Sequence, residues 1–214
     1  MNREIADLRA SYYKDILTLD RLEKDPIQQF DKWFKEAKEN GIVEPNAMNL
    51  CTVSKEGIPS SRIVLLKELD KDGFVFYTNY QSQKGREMAE NPNVSIVFLW
   101  KTLERQVRIT GVVEKTSRER TNKYFNTRPK ASRIGAFVSP QSEVIKDRQI
   151  LEDQKSFFEE KFKEVEIFDA PDHWGGYKVI PSQIEFWQGR PSRLHDRLRF
   201  TKEAGGWTIE RLAP

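Results

Sequence analysis

An antiparallel β barrel with flanking helices, mainly β with some α, is the fold this sequence predicts. Three observations lead there. Segments of strand character recur through most of the chain, their connections are short, and no Gly-x-Gly-x-x-Gly follows a strand. The last counts against a doubly wound parallel sheet, and the first two favour antiparallel pairing.

The elements follow in order. The stretch to about residue 40 reads as helical: Asp25-Pro26 supplies an N-cap with proline at the first helical position, and Gly41 a stop. Between them Ile27, Phe30, Phe34 and Ala37 recur at helical spacing, a packing stripe. From Asn46 the period changes. Residues 50–53, 62–67 and 74–78 read as strands, separated by turn signals at Lys55-Glu56-Gly57 and Asp70-Lys71-Asp72-Gly73. A short helix from Ser82 to Glu90 ends before Asn91-Pro92. Strands follow over Val94 to Trp100 and Arg105 to Val113. A helix from Ser117 to Arg128 stops at Pro129, and a second runs from about Ser142 to Phe162. Strand character returns at Tyr177 to Val179, Ile184 to Trp187, Leu194 to Phe200 and Trp207 to Leu212. The expected layout is a helical arm over residues 1–40 and one domain over 41–214.

Composition narrows the function classes. A chain of 214 residues buries a core without needing disulfides or a structural metal. Thirty-six Lys plus Arg against 33 Asp plus Glu leave a net charge of +3, too small to argue for a nucleic-acid partner but compatible with local phosphate sites. Basic stripes with interleaved aromatics are missing, which also disfavours a nucleic-acid module. The one cysteine, Cys51, sits among strand residues and reads as buried rather than nucleophilic. Two histidines and one cysteine make a zinc site improbable, so no metal is expected. No apolar run resembles a signal peptide or membrane span, which makes the cytoplasm the expected compartment and excludes a membrane partner.

Five constellations carry chemistry. Arg62 and Lys67 flank the apolar run Ile63-Val64-Leu65-Leu66; both cations suit phosphate oxygens, although strict alternation places them on opposite faces. Read blandly, the segment is a strand with charged ends. Tyr77-Thr78-Asn79 passes into Ser82-Gln83-Lys84, a helix start with a lysine that forms either an anion site or an ordinary capped helix. Gln106 shares a strand face with Arg108 and either bonds a ring edge or faces water. Tyr124 and Arg128 lie one helical turn apart with Ser132 just beyond, a donor set for phosphate or an exposed stacking pair. Finally, alternation in a strand puts Arg193, His195 and Arg197 on one face near Trp187, where like charges call for an anionic ligand; the bland reading is a charged edge strand.

With these residues in view, the sequence resembles the pyridoxine (pyridoxamine) 5'-phosphate oxidase family. The run Ile-Glu-Phe-Trp-Gln at 184–188 through Arg-Leu-His-Asp-Arg at 193–197 looks like that family's signature, and the resemblance extends over Arg62 to Lys67, Phe76 to Asn79, Glu104 to Arg108, Tyr124 to Ser132, Val138 to Ser142 and Trp174 to Tyr177. It implies an FMN-binding split barrel, antiparallel and of Greek-key type, working as a homodimer with FMN at the subunit interface. By resemblance, FMN contacts fall on Arg62, Ile63, Val64, Leu65, Leu66, Lys67, Tyr77, Thr78, Gln83 and Lys84, with Gln141, Ser142, Gln106, Trp187 and Arg197 completing the flavin site. Substrate phosphate is expected on Lys67, Tyr124, Arg128 and Ser132. Arg193 and His195 are expected over the pyridine ring as the catalytic pair, and Arg9 and Tyr12 on a covering amino-terminal arm. One departure is Gln83, where the family often has a second basic residue before the lysine.

The implied reaction is oxidation at C4' of pyridoxine or pyridoxamine 5'-phosphate to pyridoxal 5'-phosphate. FMN supplies the redox capacity, dioxygen is the acceptor, peroxide is released, and the amine also yields ammonia. A related split-barrel enzyme acting on another ring, such as a phenazine-pathway oxidase, shares the FMN residues but has no need of the full phosphate clamp. A non-catalytic flavin- or pyridoxal phosphate-binding protein has little need of Arg193 and His195 together.

Overall fold

The computed structural model describes Ile5, Asp7, Leu8 and residues 10–214. The chain forms two compact units, Met1–Leu50 with Ser95–Gly111 and Pro181–Pro214, and Cys51–Val94 with Val112–Ile180. Residues up to 50 thus belong to a unit with much later segments.

The first helix, α1 (Pro26–Glu39), begins where expected: the Asp25 carboxylate accepts from the Ile27 amide at 2.7 Å and proline takes the first position. Its buried stripe is Ile27, Phe30, Trp33 and Ala37, with Phe34 only half-buried and stacked on Phe30. Upstream, the expected helix gives way to irregular chain over residues 10–18 and a 3-10 turn at Leu19–Arg21. The backbone donors there bond to side chains instead: Lys14 donates to the Glu104 carboxylate at 2.9 Å and Leu17 to that of Asp196 at 3.1 Å.

Strands β1 (Ala47–Val53), β2 (Pro59–Leu65), β3 (Glu68–Asp70) and β4 (Gly73–Asn79) lead into α2 (Gln83–Glu90). Then come β5 (Asn93–Trp100), β6 (Arg105–Lys115), α3 (Arg118–Thr127), α4 (Lys130–Val138) and α5 (Gln149–Lys161), followed by β7 (Trp174–Gln188), β8 (Asp196–Glu203) and β9 (Gly206–Arg211). Cys51 lies on β1 as expected but is half-buried. The sheet order is β2-β1-β5-β6-β7-β4-β3, with β8 on β7 and β9 on β8. The pairings of β3 with β4, β4 with β7, β7 with β8 and β8 with β9 are antiparallel.

Two expected strands, at 177–179 and 184–187, are one continuous β7. Its first half pairs with β4, from Phe74 opposite Val179 to Asn79 opposite Trp174. Its second half pairs with β8, from Gln183 opposite Thr201 to Gln188 opposite Asp196. Pro181, which has no amide to donate, falls between the two paired stretches.

Two helical expectations and one strand boundary change. Pro129 ends α3 but also opens α4, because its fixed φ suits a helix start as well as a stop. α5 starts at Gln149 rather than near Ser142, because Ser142 is left-handed (φ 75°) in a turn closed by Glu143 N–H donating to Pro140 O at 2.9 Å. In the other unit, β8 starts at Asp196, so Arg193 and His195 precede it. Among the described residues no helix is long and apolar enough to cross a membrane.

Candidate active site

In the unit of 51–94 and 112–180, a cavity of about 800 Å³ opens among the ends of β2, β4, α2, α3 and α4. It gathers Arg62, Ile63, Val64, Leu65, Lys67, Tyr77, Thr78, Gln83, Lys84, Gln141 and Ser142 with Tyr124, Arg128 and Ser132. Arg62 and Lys67 share it despite the alternation argument, because β2 ends at Leu65 and the Lys67 amide turns to donate to Val75 O at 2.8 Å. Leu66, also expected at the cofactor, has its side chain in the core and is not among the lining residues.

The cavity has the electrostatics of an anion site. Four cations line it, and no Asp or Glu is among its described lining residues. Lys84 is buried, and that burial, followed by the charge of Arg62, lowers its ammonium pKa. Ser82 caps α2 with its hydroxyl, accepting from Gly85 N–H, and a Cβ at Gly85 would meet Tyr80 O at 2.2 Å. Only glycine lets this helix start lie against the Asn79–Tyr80 backbone.

Arg62 is held from behind. Its guanidinium donates to Thr52 and to Ser60 (2.6 Å), and Glu87 lies 3.4 Å away. Glu87 in turn accepts from Thr52, Ser60 (2.7 Å) and Gln83 (2.9 Å). Gln83, the departure from the family pattern, is therefore anchored to this carboxylate. Sequence reading missed Thr52, Ser60 and Glu87; only Glu87 carried a signal, one helical turn from Gln83.

The substrate-side donors differ in kind. The side chains of Lys67, Tyr124, Arg128 and Ser132 make no hydrogen bond within the protein among the described residues, and Arg128 Nη1 is buried without a partner. Burial lowers the Arg128 pKa. Its guanidinium lies over Trp174 at 4.7 Å. Tyr77 stacks on Tyr124 at 3.9 Å and on Trp174 at 5.4 Å. The Tyr77 hydroxyl is committed to Glu68, and burial with that contact raises its pKa, so Tyr77 offers the cavity its ring. Thr78 reaches Gln141 Oε1 at 3.4 Å. Trp174, another lining residue, lies in the stretch that the resemblance covers but had no assigned role, because its ring partners Tyr77 and Tyr124 lie fifty residues and more away in sequence.

The unit of 1–50, 95–111 and 181–214 holds the remaining candidates. A pocket of about 450 Å³ is lined by Tyr12, Arg190, Ser192, Arg193 and His195. His195 packs against Trp187 at 4.6 Å and Tyr12 at 5.8 Å between ring centres. Burial, then the charge of Arg193, lowers the His195 pKa and favours neutral imidazole. The expected single strand face for Arg193, His195 and Arg197 is corrected: Pro191–Arg193 is a 3-10 turn with Ser192 and Arg193 left-handed (φ 56° and 62°), and only Arg197 is on β8. Arg197 bonds both oxygens of the buried Glu185, at 2.8 and 3.1 Å. Gln106 is half-buried on β6 beside exposed Arg108, with Val107 and Ile109 buried on the other face. Arg9 lies outside the described residues. Among the described residues no group of three or more His, Cys, Asp or Glu could hold a metal ion.

Residues 34–155 match the pyridoxamine 5'-phosphate oxidase family, and residues 174–214 match the pyridoxine 5'-phosphate oxidase C-terminal dimerisation region. A pyridoxine/pyridoxamine 5'-phosphate oxidase of Salinibacter ruber is 50% identical over 213 residues, covering 99% of each chain. One of Burkholderia mallei is 53% identical over 213 residues, covering 98% of this chain and 99% of its own. Among solved structures, PhzG from Burkholderia lata in complex with tetrahydrophenazine-1-carboxylic acid superposes with a TM-score of 0.88 at 28% identity, over 96% of this chain and 100% of that one. A pyridoxamine 5'-phosphate oxidase-related, FMN-binding protein from Nostoc punctiforme gives 0.68 at 16% identity, over 90% and 100%. The antiparallel split barrel with flanking helices expected from the sequence is the fold of this chain. Matched by both regions and by relatives along nearly its full length, the chain belongs to the pyridoxamine 5'-phosphate oxidase family and is an oxidoreductase.

Proposed function

We propose that the chain is an FMN-dependent oxidase converting pyridoxine or pyridoxamine 5'-phosphate to pyridoxal 5'-phosphate. Dioxygen is the acceptor; the products include hydrogen peroxide and, from the amine with water, ammonia. One observation carries the reading. Lys67, Tyr124, Arg128 and Ser132 line one cavity, and among the described residues their polar ends make no hydrogen bond, which leaves them to donate to a phosphate monoester. The names of the relatives at 50% and 53% identity agree with it.

The residues present fit FMN. Buried Lys84, Arg62 and the α2 start form a second anion subsite in the same cavity, suited to the cofactor phosphate. Tyr77, Thr78, Gln83, Gln141 and Ser142 would hold the rest of its chain, and Gln106, Trp187 and Arg197 its ring. FMN, when bound, supplies the two-electron acceptor that no side chain provides. The protein's task is orientation. The clamp fixes the substrate phosphate, while Arg193 and neutral His195 meet the pyridine ring, with Tyr12 covering them. The match to a dimerisation region supports a homodimer, and in this reading FMN sits at its interface.

A phenazine-type oxidation is the competing chemistry, given the fold shared with PhzG. The uncommitted phosphate clamp favours the phosphorylated substrate. The test is a visible spectrum of the purified protein followed by pyridoxine 5'-phosphate in air-saturated buffer. Flavin absorbance, oxygen uptake and aldehyde formation are expected. A flavin-loaded protein that leaves the substrate untouched would overturn the reading, as would a colourless protein that FMN does not reconstitute.

A further inference from the structure

The turn between β7 and β8 is closed by one residue acting at both ends. The Arg190 backbone N–H donates to His195 Nδ1 at 3.1 Å, and the Arg190 guanidinium pairs with Asp196 at 3.2 Å. Between these contacts lie Ser192 and Arg193, consecutive non-glycine residues in the left-handed region. That conformation is unfavourable for L side chains and persists where surrounding contacts over-determine it. Asp196 is itself fixed by Arg211 (2.8 Å) and by the Leu17 amide (3.1 Å), so the clamp has a firm anchor.

The amide bond has a chemical consequence. Nδ1 must present its lone pair to accept it, so neutral His195 carries its proton on Nε2. An imidazolium, with both nitrogens protonated, would lose this bond.

We propose that Arg190 is a positioning residue: its two contacts hold the 190–196 turn, fixing the tautomer and aim of His195 and the left-handed placement of Arg193. The inference rests on the proposed function, in which Arg193 and His195 meet the substrate ring. It deepens that reading by naming what holds the pair in place.

The chain has two histidines, His173 and His195, so imidazole nitrogen NMR on the FMN-loaded protein is tractable, with His195→Asn assigning the signals. The expected wild-type pattern at neutral pH is a single Nε2–H tautomer for His195. Arg190→Ala keeps the amide donor but removes the pair with Asp196. It is expected to bring the two nitrogen shifts together as the turn loosens, the amide bond to Nδ1 lengthens and tautomers mix. The same variant should lower kcat on the order of tenfold while the KM for pyridoxine 5'-phosphate stays within about twofold. Arg190→Lys, which keeps a cation for Asp196, should restore both readouts. An unchanged His195 pattern in Arg190→Ala overturns the proposal. So does a general loss of melting temperature and FMN content without tautomer mixing, the signature of plain structural support. If the wild type fails to oxidise the substrate, the proposed function falls, and the NMR arm still decides whether Arg190 sets the tautomer.

Discussion

The guanidinium of Arg128 lies 4.7 Å over the ring of Trp174, and its buried Nη1 makes no hydrogen bond among the described residues. A cation so placed destabilises the protein without substrate and is a ready anchor for an anion. Arg128→Met is therefore expected to raise the melting temperature of the substrate-free protein. It should also weaken phosphorylated substrate by about 1.5–3 kcal/mol, roughly ten- to hundredfold in KM, with kcat little changed. Calorimetry paired with steady-state kinetics checks both halves. A variant that is less stable yet keeps its KM would remove Arg128 from phosphate recognition.

Acid sensitivity should trace to the carboxylate behind Arg62. Burial alone would raise the Glu87 pKa, but hydrogen bonds from Thr52, Ser60 and Gln83 and the charge of Arg62 bring it from 4.5 down to about 2. A carboxyl depressed in the folded state stabilises fully above its unfolded pKa and loses that contribution as pH falls toward its folded one. Stability is expected to drop between pH 4.5 and about 2, and Glu87→Gln should flatten that limb. Urea midpoints measured across this range test it; parallel curves for the two proteins would assign the acid limb to other groups.

The parts of the site that could be read in advance were those where residue type and local spacing suffice. Tyr124, Arg128 and Ser132 follow one another through the end of α3 into α4, and Lys84 sits at a capped helix start, so their convergence needed little tertiary information. The strand alternation rule failed twice for one reason. Lys67 and Arg193 both lie just outside strands, where the chain turns and period two no longer applies. Nothing in Ser192 marks a left-handed residue, since glycine or asparagine is the usual signal. Helix α4 is hidden in the sequence because proline is the common sign of a helix stop, and Pro129 here also starts one. Thr52 and Ser60 act through partners brought close only by the fold and no local pattern announces them, while Trp174 falls in a stretch of family resemblance that does not reveal its stacking on Tyr77.

Arg193 lines a pocket with His195, and the proposed function sets this pair on the substrate ring rather than on its phosphate. Arg193→Ala is expected to lower kcat by about 2–3 kcal/mol of transition-state stabilisation, roughly thirty- to hundredfold, with flavin content near wild type. Removing its charge should also let the His195 pKa rise, because Arg193 is a cause of its depression after burial. Flavin absorbance per protein, turnover and histidine titration check the three expectations. Equal losses of flavin and turnover would show that Arg193 serves the cofactor site instead.

Arg197 requires its structural and binding roles to be separated. It forms a two-pronged pair with the buried Glu185 and donates to Ala213 O at 2.9 Å. Among the described residues, Arg197→Ala leaves that carboxylate with Arg108 as its remaining cation, 3.5 Å away and half exposed, so a loss of about 3 kcal/mol is expected. Removing both charges with Arg197→Met and Glu185→Leu together should recover most of that stability, because an apolar pair avoids the buried unpaired carboxylate. If Arg197 also serves the flavin ring, the double variant will be stable and still poor in flavin. Unfolding midpoints and flavin absorbance on the same samples decide the matter. A double variant with both stability and full flavin content would confine Arg197 to holding Glu185.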